Sequence, residues 1–303
     1  MRQRKTRFLA AALLVATLAI VAAAVACGGE GATDETAGAP AGTAMERAKA
    51  ILGHEPTGLA KTIVDRGVIV VANDSNYPPQ SFIDKETKEI VGFDADVAKA
   101  AAEILGVNIK WAHPQWAAVV PGLQTGRWDV SIGSMPSAID GERTDPALAQ
   151  RWKTVSFTKP YYYTSGQIFV KKGGVMITGV ADLDGQEVGV GAATTFYNWL
   201  KMKTKAVVVQ YETPTDPFGD LRDGRIGFAM AAGTTGQEAI LEGMPIEFSG
   251  KPLYYEDASM AVKKGETDLV ALLDYAVRQM HESGSLTRMS RQWYNGIDLT
   301  VKE

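Results

Sequence analysis

Apolar residues follow two rhythms along this chain. In "GVIVVAND", Gly67 to Asp74, they run unbroken over the length of one short strand and stop at Asn73 and Asp74. In "GFDADVAKAAAEILGV", Gly92 to Val107, they recur three and four apart, as one face of a helix does. The alternation continues with a strand in "NIKWAH", a helix with a glycine stop in "WAAVVPGLQTG", and a strand in "WDVSIGSM" that ends at Ser134. Further on, "QEVGVGAA", "AVVVQYE" and "RIGFAMAAG" read as strands, with helices between them in "TTFYNWLKMK" and "PFGDLRDG". The tail adds two helices, "TDLVALLDYAVRQMHESG" and "SLTRMSRQWY". Two alternating blocks separated by a Tyr-rich extended segment predict two α/β lobes. A ligand cleft is expected between them, at the carboxyl ends of the strands, where Asp74 and Ser134 lie and where Thr194 and Thr195 open a helix. A threonine there caps the helix, and the free N–H groups beside it also suit an anion.

The N-terminus follows neither rhythm. Arg2, Arg4, Lys5 and Arg7 precede an apolar run from Phe8 to Ala26, the pattern of an export signal over residues 1–26, with an uncleaved anchor as the alternative. The run stops at "AVAC", and small residues followed directly by Cys27 resemble the lipobox of bacterial lipoproteins, in which the thiol is acylated. Cys27 is the only cysteine in the chain, so no disulfide competes for it within the chain. Residues 27–45, rich in Gly, Ala and Thr, read as a flexible lipidated tether, and helical spacing begins at Met45.

Composition narrows the function. With 31 Lys and Arg against 35 Asp and Glu, and no block of like charge, the chain lacks the basic surface that tracks nucleic acid. "GVGAATT" has neither the lysine nor the spacing of a phosphate-binding P-loop. His54, His113 and His281 are scattered and form no metal-ligand or Ser-His-Asp constellation, and neither cofactor nor metal is expected.

"GVIVVANDSNYPPQSF", "VGFDADVAKAAAEILG", "WAAVVPGLQTGRWDVSIGSM", "VSFTKPYYY" and "AVKKGETDLVALLDYAVRQMHESGSLTRMSRQWY" resemble, in order and spacing, the bacterial extracellular solute-binding proteins of family 3, which serve ABC importers of amino acids. The resemblance implies an α/β, two-lobed periplasmic-binding-protein-like fold of type II with two interlobe crossovers. Lobe 1 is expected over residues 61–166 and 257–303 and lobe 2 over 167–256. It also implies a monomer without enzymatic activity, exported and lipid-anchored at the cell envelope, that hands a small carboxylate-bearing solute to ABC permease transmembrane subunits.

The resemblance further implies site residues. "IDGER" is similar to the family's Ile-Thr-x-x-Arg and places Arg143 as the fork onto the ligand's carboxylate, with Ser134 and Ser137 beside it. Asp140 departs from the family threonine, and "TDPALAQRW" lengthens the segment, so Arg151, at the usual distance from Phe157, is a rival clamp. Arg143 as a solvated loop charge is a further alternative. Tyr77 and Trp116 match aromatic walls, and Asp74 a position near the ligand's side chain or amine; core packing and an Asx-turn are their structural alternatives. Thr194 and Thr195 match the second lobe's carboxylate contact. Ala232 stands where amino-acid binders carry the aspartate that fixes the ammonium. Either Asp74, Asp216 or Glu256 takes over that contact, or the ligand lacks a free amine, or Tyr161, Tyr162 and Tyr163 hold a cation through their rings. A dehydratase of cyclic carboxylates on the same fold would keep the arginine and need a general acid such as Glu256 or Asp74. A sensory module would need further domains.

Overall fold

The computed structural model describes residues 40–302. The signal, Cys27 and most of the expected tether lie outside the described residues. The first described helix, α1 (Ala44–Leu52), begins inside the stretch expected as tether, where Thr43 and Glu46 form a reciprocal capping box. Helix α2 (Gly58–Arg66) leads to β1 (Val68–Ala72) and a small meander of β2 (Asn76–Tyr77), β3 (Ser81–Ile83) and β4 (Ile90–Val91). Then come α3 (Phe93–Leu105), β5 (Asn108–Ala112), α4 (Trp116–Thr125), β6 (Val130–Ile139) and a short α5 (Ala149–Thr154). The long strand β7 (Val155–Lys171) carries the chain into the second lobe, built from β8 (Glu187–Gly191), α6 (Thr195–Lys203), β9 (Val207–Tyr211), α7 (Asp216–Asp223), β10 (Phe228–Ala232) and α8 (Gly233–Leu241). Strand β11 (Ile246–Lys263) returns, and α9 (Thr267–Glu282) and α10 (Ser285–Trp293) close on the first lobe.

One sheet runs through both lobes in the order β5-β1-β6-β11-β7-β10-β8-β9. Its ends are parallel trios, β5-β1-β6 and β10-β8-β9, each covered by the helices that connect its strands. Its centre is the antiparallel pair β7 and β11, which runs from Lys263 opposite Val155 to Ile246 opposite Lys171 with register shifts at Ser249/Tyr254, Ala258/Ser259 and Ser259/Ala261. These two strands are the interlobe crossovers. The boundaries expected at Gly166 and Asp257 fall within them rather than in loops.

Two elements depart from the sequence expectation for physical reasons. β6 does not end at Ser134 but runs on to Ile139, every residue buried, because β11 pairs with it as far as Glu256 opposite Ile139. α8 went unread because its glycines suggest a loop. Gly236 instead lets the helix approach Phe169, whose ring would lie 2.0 Å from an added Cβ.

The first lobe's core joins Ile63, Phe93, Val97, Ala101, Met260, Leu272 and Val277, which fixes α3 and α9 against the sheet. The second lobe's core contains Val188, Val190, Phe196, Trp199 and Met230. Ala147 and Leu148, from the lengthened segment before α5, belong to this second core although the chain on either side of them belongs to the first lobe. Asn198 of α6 adds a bond to the Ala147 carbonyl at 3.1 Å. Leu148 is fully buried. Leu148→Ala is therefore expected to lower unfolding stability by about 2–5 kcal/mol, read from the urea midpoint at constant m.

Candidate functional site

A small cavity of ≈ 30 Å³ lies between the lobes, walled on one side by Asp74, Tyr77, Trp116 and Ser134, on the other by Thr194, Thr195, Phe196 and Pro214, with Glu256 at the crossover. The lobes touch around it. Trp116 Nε1 and Arg151 Nη2 both donate to the Ala193 carbonyl, at 3.0 and 3.2 Å, and Gln115 donates to Glu212. The Gln80 amide meets the Thr234 hydroxyl. The cleft is closed.

Local structure positions each wall. Asp74 accepts from the Asn76 N–H at 3.0 Å, an Asx-turn, while its other oxygen accepts from the Trp116 N–H at 3.0 Å and so caps α4. Burial raises its pKa, and these N–H bonds oppose the shift. The cap sets Trp116 at the mouth of the cleft, half-buried, with the Arg151 guanidinium 5.3 Å over its ring. On the facing lobe Ala193 has φ 58°, a left-handed conformation unusual for alanine, in the turn whose carbonyl receives both bonds. Thr194 is the N-cap of α6, accepting from Tyr197 N–H at 3.1 Å.

Ser134 lines the floor in a left-handed conformation, φ 55°. Its N–H donates to the Tyr161 hydroxyl at 2.8 Å, its hydroxyl donates to Asp94 at 2.7 Å, and the Tyr162 hydroxyl donates to it at 2.7 Å. Tyr161 also donates to Asp94 at 2.7 Å. Burial pushes Asp94 up to about 7 despite these donors. Sequence reasoning missed Asp94. Its only signal was an acid in the first turn of α3 next to core residue Phe93. The tyrosines considered as cation holders lie elsewhere: Tyr161 and Tyr162 pack with Phe93 in the first lobe, and Lys302 sits over Tyr163 at 4.9 Å.

The structure does not bring Arg143 and Ser137 to the cavity. Arg143 is exposed and lies over Trp152 at 5.4 Å, because the lengthened segment turns at Asp140 and Gly141 before reaching the second lobe. Ser137 is turned to Ser259, 2.7 Å away, across the β6–β11 pair. Arg151, three residues after the anchored Leu148, does not line the cavity but reaches the edge of the cleft at Trp116 and Ala193. Its Nη1 is enclosed without a hydrogen-bond partner among the described residues. Burial lowers its pKa, and the charge of Glu256 pushes back. Ala232 is buried at the end of β10, and Asp216 accepts from Thr213 N–H at 2.9 Å in a local turn. Neither lines the cavity. Glu256 does: it is buried, accepts from the Thr195 hydroxyl, and is pushed up to about 7 by burial, with Thr195 and Arg151 opposing.

Between the ordinary carboxyl values of 3.8 and 4.5 and a folded value of about 7, Asp94 and Glu256 hold protons that the unfolded chain has released. Their contribution to stability is thus full below about pH 4 and declines as pH rises through about 7. Calorimetric Tm values across that window are expected to fall less steeply for Asp94→Asn and for Glu256→Gln than for the wild type.

The profile of the bacterial extracellular solute-binding proteins, family 3, matches residues 69–296. The chain is 29% identical over 246 residues to the L-cystine-binding protein TcyJ of Escherichia coli, covering 80% of this chain and 88% of that one. It is 28% identical to the probable amino-acid-binding protein YxeM of Bacillus subtilis, covering 84% and 94%. Among solved structures, a mutant of ArgBP from T. maritima superposes with TM-score 0.68 at 29% identity over 77% of this chain and 98% of that one. The ancestral amino-acid-binding protein AncCDT-1, a precursor of cyclohexadienyl dehydratase, superposes with TM-score 0.69 at 26% identity over 78% of this chain and 100% of that one. With a two-lobed sheet crossed twice by the chain, a closed interlobe cavity and a family match over most of its length, the chain belongs to the bacterial extracellular solute-binding proteins of family 3.

Proposed function

We propose that this protein is the lipid-anchored binding component of an ABC importer and captures a small carboxylate-bearing solute, an amino acid or a derivative, in the interlobe cleft. The observation that carries this reading is Arg151: a guanidinium held between the lobes, stacked on Trp116, with Nη1 enclosed and unpartnered. An enclosed guanidinium nitrogen without an acceptor, on a half-buried arginine, is unfavourable alone and suits a carboxylate that takes two parallel bonds. On the second lobe Arg151 meets the Ala193 carbonyl, just before the N-terminus of α6. Arg151 replaces Arg143 in this role, since the extra residues precede the clamp rather than follow it.

Closure follows from the same contacts. Arg151 reaches across to Ala193, and Leu148 is packed into the second lobe, so the clamp is complete only when the lobes meet. A ligand that touches both lobes favours that state by its differential contacts.

A thermal-shift screen of amino acids and carboxylates tests the reading, because a ligand at a hundred times its Kd adds about 2.7 kcal/mol of stability. Arg151→Ala is expected to weaken the best hit by more than about tenfold, with no rescue by Arg151→Lys, whereas Arg143→Ala leaves affinity unchanged in isothermal titration. An unweakened Arg151→Ala would remove the clamp. Product analysis of the incubated hit separates a binder from the dehydratase alternative, for which Glu256 is the available acid.

The anchor is assigned to Cys27, followed by a tether that lets the lobes work away from the bilayer. Cys27→Ser is expected to move the protein from the membrane pellet to the soluble fraction with its affinity intact. Retention in the pellet would point to an uncleaved apolar helix.

A further inference from the structure

The crossover has a second face. Glu256 lines the interlobe cavity, and its neighbours Tyr255 and Asp257 line another, as alternation along β11 requires. Their partners in β7 follow suit: Tyr255 lies opposite Ser165 and Asp257 opposite Tyr163, and all four border this second cavity. Its volume is ≈ 640 Å³, within the range of roughly 300–1,000 Å³ that small-molecule sites occupy. Both lobes wall it. Trp293 and Asn295 come from the first lobe, at the end of α10 and just after it, and Gln237 and Glu238 from α8 of the second.

The wall is aromatic and acidic. Tyr163, Phe248, Tyr255 and Trp293 supply rings, and Asp140, Glu238, Asp257 and Asp298 supply carboxylates against one lysine, Lys302. Two of these acids are committed to the fold. Asp140 accepts from the Tyr255 N–H at 2.8 Å, and Asp298 accepts from the hydroxyls of Thr287 at 2.9 Å and Thr300 at 2.6 Å. The other two have capacity to spare. Glu238 is half-buried, and its side chain has no hydrogen bond or ion pair among the described residues. Asp257 is buried, with Lys302 Nζ 3.0 Å from each of its oxygens; the ammonium hydrogen-bonds Oδ2 alone, and Oδ1 is enclosed without a donor among the described residues.

Lys302 shows which ligand this wall suits. Its ammonium sits over the Tyr163 ring at 4.9 Å and against the Asp257 carboxylate, a cation held between a π face and a charge. The lysine side chain is half exposed, and exchanging its ion pair for a like one with a ligand costs little. We infer that the cavity behind the crossover is a second ligand site, for an organic cation that sets an ammonium at Asp257 in place of Lys302 and an apolar or aromatic body against the rings. Glu238 strengthens the field that draws the cation in. An anion is disfavoured there by four carboxylates against one ammonium, and an uncharged body leaves Asp257 Oδ1 without a donor. The site lies apart from the interlobe cleft and does not depend on what the cleft binds.

The test uses three probes that share an indole body: tryptamine, the uncharged tryptophol and the anionic indole-3-propionate. Each is titrated into the full chain by NMR, with the indole N–H resonances of Trp293 and Trp116, assigned through Trp293→Phe and Trp116→Phe, reporting the two cavities separately. Tryptamine is expected to move the Trp293 resonance and to bind at least about tenfold more tightly than tryptophol, with indole-3-propionate weaker still. Lys302→Ala, which removes the resident cation, should tighten tryptamine by about threefold or more. Asp257→Asn should erase the preference for tryptamine and Glu238→Gln should reduce it, both leaving tryptophol within about twofold, and Arg151→Ala should change none of these values. Equal affinity for tryptamine and tryptophol, a preference for indole-3-propionate that Lys302→Ala abolishes, a shift confined to Trp116, or no shift with any probe would overturn the inference and leave the Arg151 reading in place. So would a preference for tryptamine that survives both Asp257→Asn and Glu238→Gln.

Discussion

Everything in the cleft is referred to one element, the antiparallel pairing of β7 with β11. Because each strand is shared by both lobes, their hydrogen bonds fix the two parallel trios on a common frame. The pairing also decides which residues meet. Glu256 comes from the middle of β11, Tyr161 and Tyr162 from β7, and Ser134 from β6, which pairs with β11. Fixing the backbone there makes a buried charge tolerable, since the partners of that charge cannot drift away.

The second constraint is desolvation. Asp74 and Glu256 are buried and Arg151 is half-buried, and the three are treated differently. Asp74 is satisfied within its own lobe by a turn and a helix cap. Arg151 gains a carbonyl from the other lobe and a ring beneath it but keeps an unpartnered nitrogen. Glu256 gains a hydroxyl and responds by holding its proton up to about pH 7. Arg151 thus keeps bonding capacity beside the cleft and Glu256 keeps it inside the cavity. The left-handed conformations serve different bonds: at Ala193 the carbonyl is aimed across the cleft at Trp116 and Arg151, and at Ser134 the N–H meets the buried Tyr161 hydroxyl.

The lengthened segment before α5 shows how an insertion can be absorbed without loss of the site. Its first half turns on the surface and takes Arg143 with it. Its second half buries Leu148 among second-lobe residues, and that burial sets α5 down so that Arg151 reaches the edge of the cleft. The arginine of the motif, Arg143, lies exposed over Trp152, while Arg151, the one at the usual distance from Phe157, lies between Trp116 and Ala193. Distance to the strand mattered more than the local motif because β7 is the fixed frame and the loop is not.

Sequence by itself determined the α/β alternation, the helix starts at Thr194 and in the tail, and residues of both walls: Asp74, Tyr77, Trp116 and Ser134 line the cavity on one side, Thr194 and Thr195 on the other. These were legible because helix and strand periods, caps and turn residues act over a few positions, within reach of a linear reading. Only the tertiary structure decided the choice between Arg143 and Arg151, the retreat of Ser137 into the β6–β11 pair, the buried Asp94 network and the place of Glu256 in the cleft. Each depends on which strands pair and on what a side chain meets from a segment tens of residues away. β11 carries Gly250 and Pro252 and shows no clean alternation, so its role as half of the crossover is written in its partners rather than in its own pattern.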